Sequence, residues 1–354
     1  MAKIKRFKKA SDIRMAGVGF GCMTEFHHFV EGGKAGMVPV AVCEPDDKRR
    51  AGAEKAFPGI KTFKTPEEMY KGADFDLVVV ATPHDSHCKL VCQALNKGKH
   101  VMCEKPLAIT TEECDKMIAA AKKNNVMLTA YHNRHWDDLP LQMMKLLNDG
   151  AVGEILRVRA SLSMFANPGK VWGGGWRLSK SISGGVMYDW GVHVIEWAMQ
   201  AMDISGAKAT EVSGFTHEGF WSDETPWKKD TIEDDSYAVV RFDTGQSLTL
   251  SFSWLDATPG DGLVEIHGTK GTLQMNFGEY KLILPGKKGQ TVRTGPNMPM
   301  DWDKLYQNVA DHLVKGEKLV ITAERARRMV HLLDLATKSG KLNKTLPVKY
   351  GDDS

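Results

Sequence analysis

The sequence predicts an α/β chain in two parts: a doubly wound parallel sheet first, then an α+β part built on a mainly antiparallel sheet. Three observations carry this. Short apolar runs alternate with amphipathic stretches through the first 134 residues. A glycine turn, Gly19-Phe20-Gly21, directly follows the first of those runs. In the second part, hairpin turns and a period of two take over, most cleanly in Ser247–Trp254.

In order, Ile13–Val18, Val38–Cys43, Leu77–Ala81, Lys99–Cys103 and Val126–Tyr131 read as buried parallel strands. Thr65-Pro66 offers a helix cap followed by proline at the first helical position, and Thr110-Thr111-Glu112-Glu113 reads as a capping box ahead of a helix through Lys123. Strands separated by such helices imply right-handed crossovers. Beyond a boundary near Asn133–Asp137, Gly153–Ser163 alternates as a strand and Asp189–Met202 reads as one helix. Tyr237–Phe242 and Ser247–Trp254 flank the turn Asp243-Thr244-Gly245, and Leu263–His267 pairs with Thr272–Phe277. Leu248, Leu250, Phe252 and Trp254 alternate with Ser247, Thr249, Ser251 and Ser253, giving one apolar face and one hydroxyl-rich face. A final helix, Thr322–Lys338, closes the chain and is free to pack back on the first part. The expected domains are 1–134 and 135–354.

A length of 354 residues suits two domains. A net charge of +3 is close to neutral for that size, so no nucleic-acid partner is expected. The basic start, Lys3-Lys5-Arg6-Lys8-Lys9, reads as a solvated extension; Ser11, Asp12 and Arg14 interrupt before any signal-like apolar run forms. No stretch reaches the ~18 apolar residues a membrane span needs. All six cysteines (Cys22, Cys43, Cys88, Cys92, Cys103, Cys114) lie in the first third without a CxxC pair, so reduced thiols in a cytoplasmic protein are expected, and no metal site.

The turn after the first strand carries the first functional signal. Gly19 and Gly21 take the first two positions of a GxGxxG turn, where glycine allows a tight bend and lets a pyrophosphate approach the backbone. Cys22 and Met23 continue into a helix, and Thr24 stands at the third position. A shifted frame, Gly17, Gly19 and Cys22, leaves a shorter apolar run before the turn. The second strand ends at Glu44, 25 residues past Gly19, where a carboxylate accepts ribose hydroxyls and repels a 2′-phosphate. NAD is therefore expected over NADP, although Lys48, Arg49 and Arg50 lie close enough for an arginine to accommodate the phosphate.

Two further blocks make a family recognisable. They are Ala81-Thr82-Pro83-His84-Asp85-Ser86-His87 and Gly98-Lys99-His100-Val101-Met102-Cys103-Glu104-Lys105-Pro106-Leu107, followed by Tyr131-His132-Asn133-Arg134, Trp176-Arg177 and Gly184 to His193. Over nearly its whole length the chain resembles the Gfo/Idh/MocA oxidoreductases, named for glucose–fructose oxidoreductase and inositol dehydrogenase. The resemblance implies an N-terminal Rossmann domain that binds a nicotinamide cofactor and a C-terminal domain, on an open antiparallel sheet, that holds a sugar or polyol and forms oligomers. It implies Lys105, Asp189 and His193 as the catalytic trio. It places Ala81, Thr82, Pro83, His84, His87, Glu104, Lys105 and Asn133 along the cofactor, with Trp176 and Arg177 at the junction with the substrate. Thr24 departs from the usual third glycine, and His84 stands where asparagine is common.

Oxidising a secondary alcohol needs a proton acceptor suited to neutral pH. Histidine starts near 6.5, whereas lysine starts near ~10.4 and needs burial beside a positive ring to fall far enough. His193 is therefore assigned as general base, Lys105 as hydrogen-bond donor to the alkoxide, and Asp189 as the group that holds the hydroxyl or tunes the two cations. The reverse, with lysine as base, stays open. His132, Arg134 and Trp176 are further candidates for substrate contacts, with Trp172, Tyr188, Trp190, Trp221 and Trp227 as aromatic surfaces suited to carbohydrate C–H faces. The expected activity is NAD(P)-dependent hydride transfer at a secondary hydroxyl of a sugar, polyol or glycoside, by a homodimer or homotetramer. A redox-neutral lyase or hydrolase working through a transient keto-sugar, and a non-catalytic dinucleotide-sensing regulator, are the alternatives.

Overall fold

The computed structural model describes residues 4–258 and 260–350. The chain forms two compact units: residues up to His132 together with Trp302–Arg327, and Asn133–Asp301 together with residues from Arg328 on.

The first unit is built on six parallel strands, β1 (Arg14–Val18), β2 (Val38–Cys43), β3 (Lys61–Phe63), β4 (Leu77–Val80), β5 (His100–Cys103) and β6 (Leu128–Ala130), in the order β3-β2-β1-β4-β5-β6. This is the doubly wound Rossmann order, whose direction of winding switches between β1 and β4. The apolar runs become strands because both sheet faces are covered; all four residues of β4 are buried. β3 is not apparent in the sequence, since Lys61-Thr62-Phe63 is short and mostly polar. Thr65 forms a full capping box with Glu68, with Pro66 behind it, and Thr110 accepts the Glu113 amide at the start of the helix Thr111–Asn124. The helix Asp303–Lys315, also absent from the sequence reading, buries Leu305, Tyr306, Val309 and Leu313 in this unit.

From Lys5 onward the basic start keeps its cationic side chains exposed, as expected of a solvated segment, yet it is anchored to the fold at two points. Lys5 Nζ reaches Asp76 Oδ1 at 2.7 Å and the Phe7 amide donates to the Leu313 carbonyl. Nearly buried Asp76 also accepts from Arg14, so the cations are drawn in by a carboxylate that needs them. Lys3 lies outside the described residues.

Among the described residues the second unit carries nine strands: β7 (Ile155–Ser163), β8 (Ala209–His217), β9 (Asp235–Phe242), β10 (Ser247–Ser253), β11 (Val264–Gly268), β12 (Thr272–Met275), β13 (Glu279–Gly286), β14 (Gly289–Pro296) and β15 (Leu346–Pro347). Their order is β14-β13-β12-β11-β7-β10-β9-β8-β15, with β7 and β10 parallel and the other pairs antiparallel. Leu248, Leu250 and Phe252 of β10 are buried, while Ser247, Thr249 and Ser251 are half-buried, as a period of two demands.

One element differs in a way that matters. Asp189 and His193 do not share one helix: a short helical turn, Val186–Asp189, ends at Trp190, and the buried helix Gly191–Ile204 begins anew. The His193 amide donates to the Trp190 carbonyl rather than to that of Asp189. Gly191 permits the break to sit tightly on the sheet, since a Cβ there would lie 3.0 Å from the Phe252 ring. Among the described residues, no helix is long and apolar enough to cross a membrane.

Candidate active site

In the first unit, Gly19 leaves β1 at φ +91°, and a Cβ on it would lie 2.4 Å from the Ala81 carbonyl oxygen. Only glycine fits. Gly21 is the opposite case: nothing lies within 4 Å of where its Cβ would stand, so the backbone is open to a close approach. Thr24, in place of a third glycine, is fully buried and its hydroxyl donates to the Gly19 carbonyl at 2.7 Å, tying the turn shut. Thr24–His28 winds as a widened π-helical turn, and Gly17 leaves the room that the Thr24 methyl occupies. Cys22 is exposed and Met23 half-buried at the start of this helix. An open glycine backbone at the sheet's switch point, followed by a helix, fits a dinucleotide pyrophosphate.

Glu44 stands at the end of β2, turned toward that turn. Its Oε2 accepts the Phe20 amide at 2.9 Å and its Oε1 the Asp46 amide at 3.0 Å, so the carboxylate braces the glycine turn from below. Arg50 donates to the Glu44 carbonyl, and the exposed Arg49 guanidinium lies 4.0 Å from the carboxylate.

After β4, Ala81, Thr82 and Pro83 form a half-buried loop in which the Thr82 and Ser86 hydroxyls lie 2.6 Å apart. His84 is buried. His87, fully buried, places one ring nitrogen 2.9 Å from the Thr82 carbonyl and the other 2.9 Å from the Pro106 carbonyl, joining the loops that follow β4 and β5. Burial pushes its pKa down. After β5, Lys105 is half-buried and joined to Pro106 by a cis peptide. Glu104 faces inward: His28 Nε2 lies 3.1 Å from its Oε1, and the Lys105 amide donates to its Oε2 at 3.0 Å. Burial works to raise the Glu104 carboxyl, but the His28 hydrogen bond and the Lys105 charge outweigh it and hold it below the usual carboxylate range. His132, at the end of this unit's first segment, is buried.

In the second unit, Asp189 is 4% exposed, and Arg177 Nε approaches its Oδ2 at 3.2 Å. The Arg177 guanidinium also lies 4.6 Å over the Trp176 ring. The turn bearing Asp189 is started by Gly185 at φ +119° and by Glu233, whose Oε2 accepts the Val186 amide at 2.9 Å; Lys180 Nζ pairs with Glu233 at 2.9 Å. His193 is buried, with its ring 5.9 Å from that of Trp190. Arg134 lies 4.6 Å over Trp190 and pairs with Asp137 at 2.9 Å. Asn133, next to it, is buried. Of the aromatic candidates, Tyr188 is buried, Trp172 packs edge-on against Trp254, Trp221 donates to the Trp254 carbonyl, and Trp227 donates to the Gly174 and Gly175 carbonyls. Among the described residues, no group of three or more His, Cys, Asp or Glu side chains could hold a metal ion.

Sequence reasoning does not single out His28, Tyr306 or Glu233. Thr24 and His28 have a faint signal, one helical turn apart behind the glycine turn. The other two have none, because each acts on a partner far away in the chain.

Two domain models of one family match the chain. The oxidoreductase family with an NAD-binding Rossmann fold matches residues 13–132, and the GFO/IDH/MocA C-terminal domain matches residues 141–274. The chain is 22% identical over 323 residues to scyllo-inositol 2-dehydrogenase (NADP(+)) of Bacillus subtilis, covering 84% of this chain and 86% of that one. It is 28% identical over 251 residues to 1,5-anhydro-D-fructose reductase of Ensifer adhaerens, covering 70% and 71%. Levoglucosan dehydrogenase, solved with NADH and levoglucosan, shares the fold with a TM-score of 0.79 at 20% identity, covering 95% of this chain and 99% of that one. With both domains matched in order, this chain belongs to the Gfo/Idh/MocA oxidoreductase family.

Proposed function

We propose that the chain is a nicotinamide-dependent dehydrogenase moving a hydride between the dinucleotide and a secondary hydroxyl of a sugar, polyol or glycoside, with NAD favoured over NADP. The observation that carries this is the placement of the open Gly21 backbone and Lys105 at the same, C-terminal edge of one parallel sheet, after β1 and β5. Ligands of such sheets bind at that edge. Family relatives that act on an inositol, an anhydro-sugar and levoglucosan support the carbohydrate class.

Gly19, Gly21, Cys22, Met23 and Thr24 would hold the pyrophosphate, Glu44 the ribose, and the loop from Ala81 to His87 the rest of the dinucleotide. The bound nicotinamide would accept or return the hydride. His193 would take the hydroxyl proton as general base, and Lys105 would donate a hydrogen bond to the developing alkoxide. Asp189, oriented by Arg177, would hold the same hydroxyl, with Asn133, Trp176, His132 and Arg134 contacting cofactor or neighbouring hydroxyls. The reading requires Lys105, Asp189 and His193 to act on one carbon during turnover. Replacing Lys105 by alanine should lower kcat by orders of magnitude while dinucleotide binding stays measurable; near-wild-type turnover would refute it. A screen of polyols, aldoses and glycosides, read by nicotinamide absorbance with NAD and NADP, identifies the substrate. Turnover without net NADH, with a dinucleotide retained through purification, would mark redox-neutral chemistry instead.

The hydroxyl-bearing face of β10 also suits pairing with a second copy across a two-fold axis. Sedimentation showing a monomer alone at micromolar concentration would remove that part of the proposal.

A further inference from the structure

Behind Lys105 the first unit holds a buried polar chain that runs through three elements remote in sequence. Tyr306, on the helix Asp303–Lys315, and His28, on the widened turn behind the glycine loop, are both completely buried. Tyr306 Oη lies 2.8 Å from His28 Nδ1, His28 Nε2 lies 3.1 Å from Glu104 Oε1, and Glu104 Oε2 takes the Lys105 amide at 3.0 Å.

The direction of each bond follows from its chemistry. An ionised carboxylate only accepts, so His28 must carry hydrogen on Nε2. In the neutral ring Nδ1 is then an acceptor, and Tyr306, a phenol kept protonated by burial, is placed to donate to it. With the ring neutral, Tyr306 O–H to His28, His28 N–H to Glu104, and Lys105 N–H to Glu104 form an unbroken hydrogen-bonded sequence. The His28 ring is also covered by Tyr131, whose ring centre is 4.3 Å away and whose hydroxyl donates to Glu31. His27 approaches Glu31 as well, at 3.2 Å. The carboxylate of Glu31 is thus supplied separately and does not compete for His28.

We infer that His28 and Tyr306 are positioning residues: through Glu104 they fix the end of β5 and so aim the Lys105 amine. The inference rests on the reading of Lys105 as the group that meets the substrate hydroxyl. It goes beyond it by assigning a role to two residues that are completely buried behind that lysine. A displacement of about 1 Å in such a group is enough to cost on the order of a hundredfold in rate.

The test uses the full chain and four variants: Tyr306→Phe, His28→Asn, His28→Gln and His28→Ala. Asparagine can mimic only the Nδ1 side of the ring, and glutamine can present a donor near the Nε2 side. Expected are a fall in kcat of about tenfold or more for Tyr306→Phe and His28→Asn, with NADH dissociation constants within about twofold of wild type. His28→Gln should recover much of that loss, and His28→Ala should not. A second readout needs no turnover: the rate at which an amine-reactive acylating reagent labels Lys105, followed by peptide mass spectrometry, should rise several-fold in Tyr306→Phe and His28→Asn. Wild-type kcat and labelling in both variants would overturn the inference. So would equal losses in glutamine and asparagine variants, or a fall in kcat that simply tracks melting temperature and NADH affinity. If the wild type turns over no sugar or polyol with either nicotinamide, the dehydrogenase reading fails on its own, and the labelling rates still decide whether His28 and Tyr306 hold the lysine.

Discussion

Arg177 Nε lies 3.2 Å from Asp189 Oδ2, joining a guanidinium that is about half exposed to a carboxylate that is almost fully buried. An exposed arginine of this kind adds little to stability, roughly 0–1 kcal/mol. Its consequence is orientation, because it holds the carboxylate by Oδ2 in one rotation. Arg177→Ala should leave the melting temperature within a few degrees of wild type and lower kcat/KM by about tenfold to a hundredfold. Arg177→Lys should recover only part of the loss, since an ammonium lacks the planar fork and stacks less well on Trp176. Steady-state kinetics beside a thermal melt decides it: a large drop in melting temperature with unchanged kcat/KM would make the pair structural.

Gly19 and Gly21 should respond in opposite ways to the same substitution. At Gly19, alanine meets the Ala81 carbonyl and a left-handed backbone, and the expected cost is about 2 kcal/mol or more. At Gly21 the space is open, so Gly21→Ala should change stability by no more than about 0.5 kcal/mol. Its methyl would stand where a pyrophosphate must approach, so the NADH dissociation constant should rise by about tenfold. Fluorescence titration of NADH separates the two; unchanged affinity in Gly21→Ala would move the cofactor away from this turn.

What the sequence could reveal divides along a physical line. Features whose cause is local were legible: the glycine turn, the Thr65-Pro66 helix start, the apolar face of β10, and the Glu104-Lys105-Pro106 strand end. Features set by distant partners were not. β3 is a strand only because β2 offers it an edge, and Asp303–Lys315 is buried only because the helix Phe29–Lys34 and the N-terminal turn Ala10–Asp12 receive it. The break at Trp190 escaped notice because helical periodicity continues straight through it. Of the residues around Asp189 and Lys105, Glu233, His28 and Tyr306 stayed hidden, since their meaning depends on an amide, a carboxylate and a ring brought to them by the fold.

Glu44 offers a test with two distinguishable outcomes, because its carboxylate braces Phe20 and Asp46 and also stands where a ribose would lie. Glu44→Ser removes the negative charge while Arg49 stays beside the vacated position. Discrimination by that charge predicts that the ratio of kcat/KM for NADP over NAD rises by at least about tenfold. If the carboxylate serves only the turn, both cofactors lose efficiency together and the ratio stays put. Glu44→Gln, which can still accept one of the two amides, should show a smaller loss with NAD than serine does.

His100 opens β5, and its pH dependence can be worked out in sign. Burial pushes its pKa down to about 4, with the ring 1% exposed and Nδ1 accepting the Met127 amide at 3.0 Å. Protonating Nδ1 would replace an accepted hydrogen bond with two hydrogens facing each other. In the unfolded chain the same ring takes up a proton near 6.5. Between those values the unfolded state binds more protons than the native one, so stability is intact above about pH 6.5 and falls as pH drops toward 4. The loss attributable to this residue by the acid end of that window is on the order of 3 kcal/mol. His100→Asn keeps an acceptor for the Met127 amide and removes the titration. Its urea midpoint should therefore shift less between pH 7.5 and pH 5 than that of the wild type, even if it starts lower. Equal shifts in the two proteins would show that other groups carry the acid sensitivity and that His100 is protonated in the native state near its ordinary pKa.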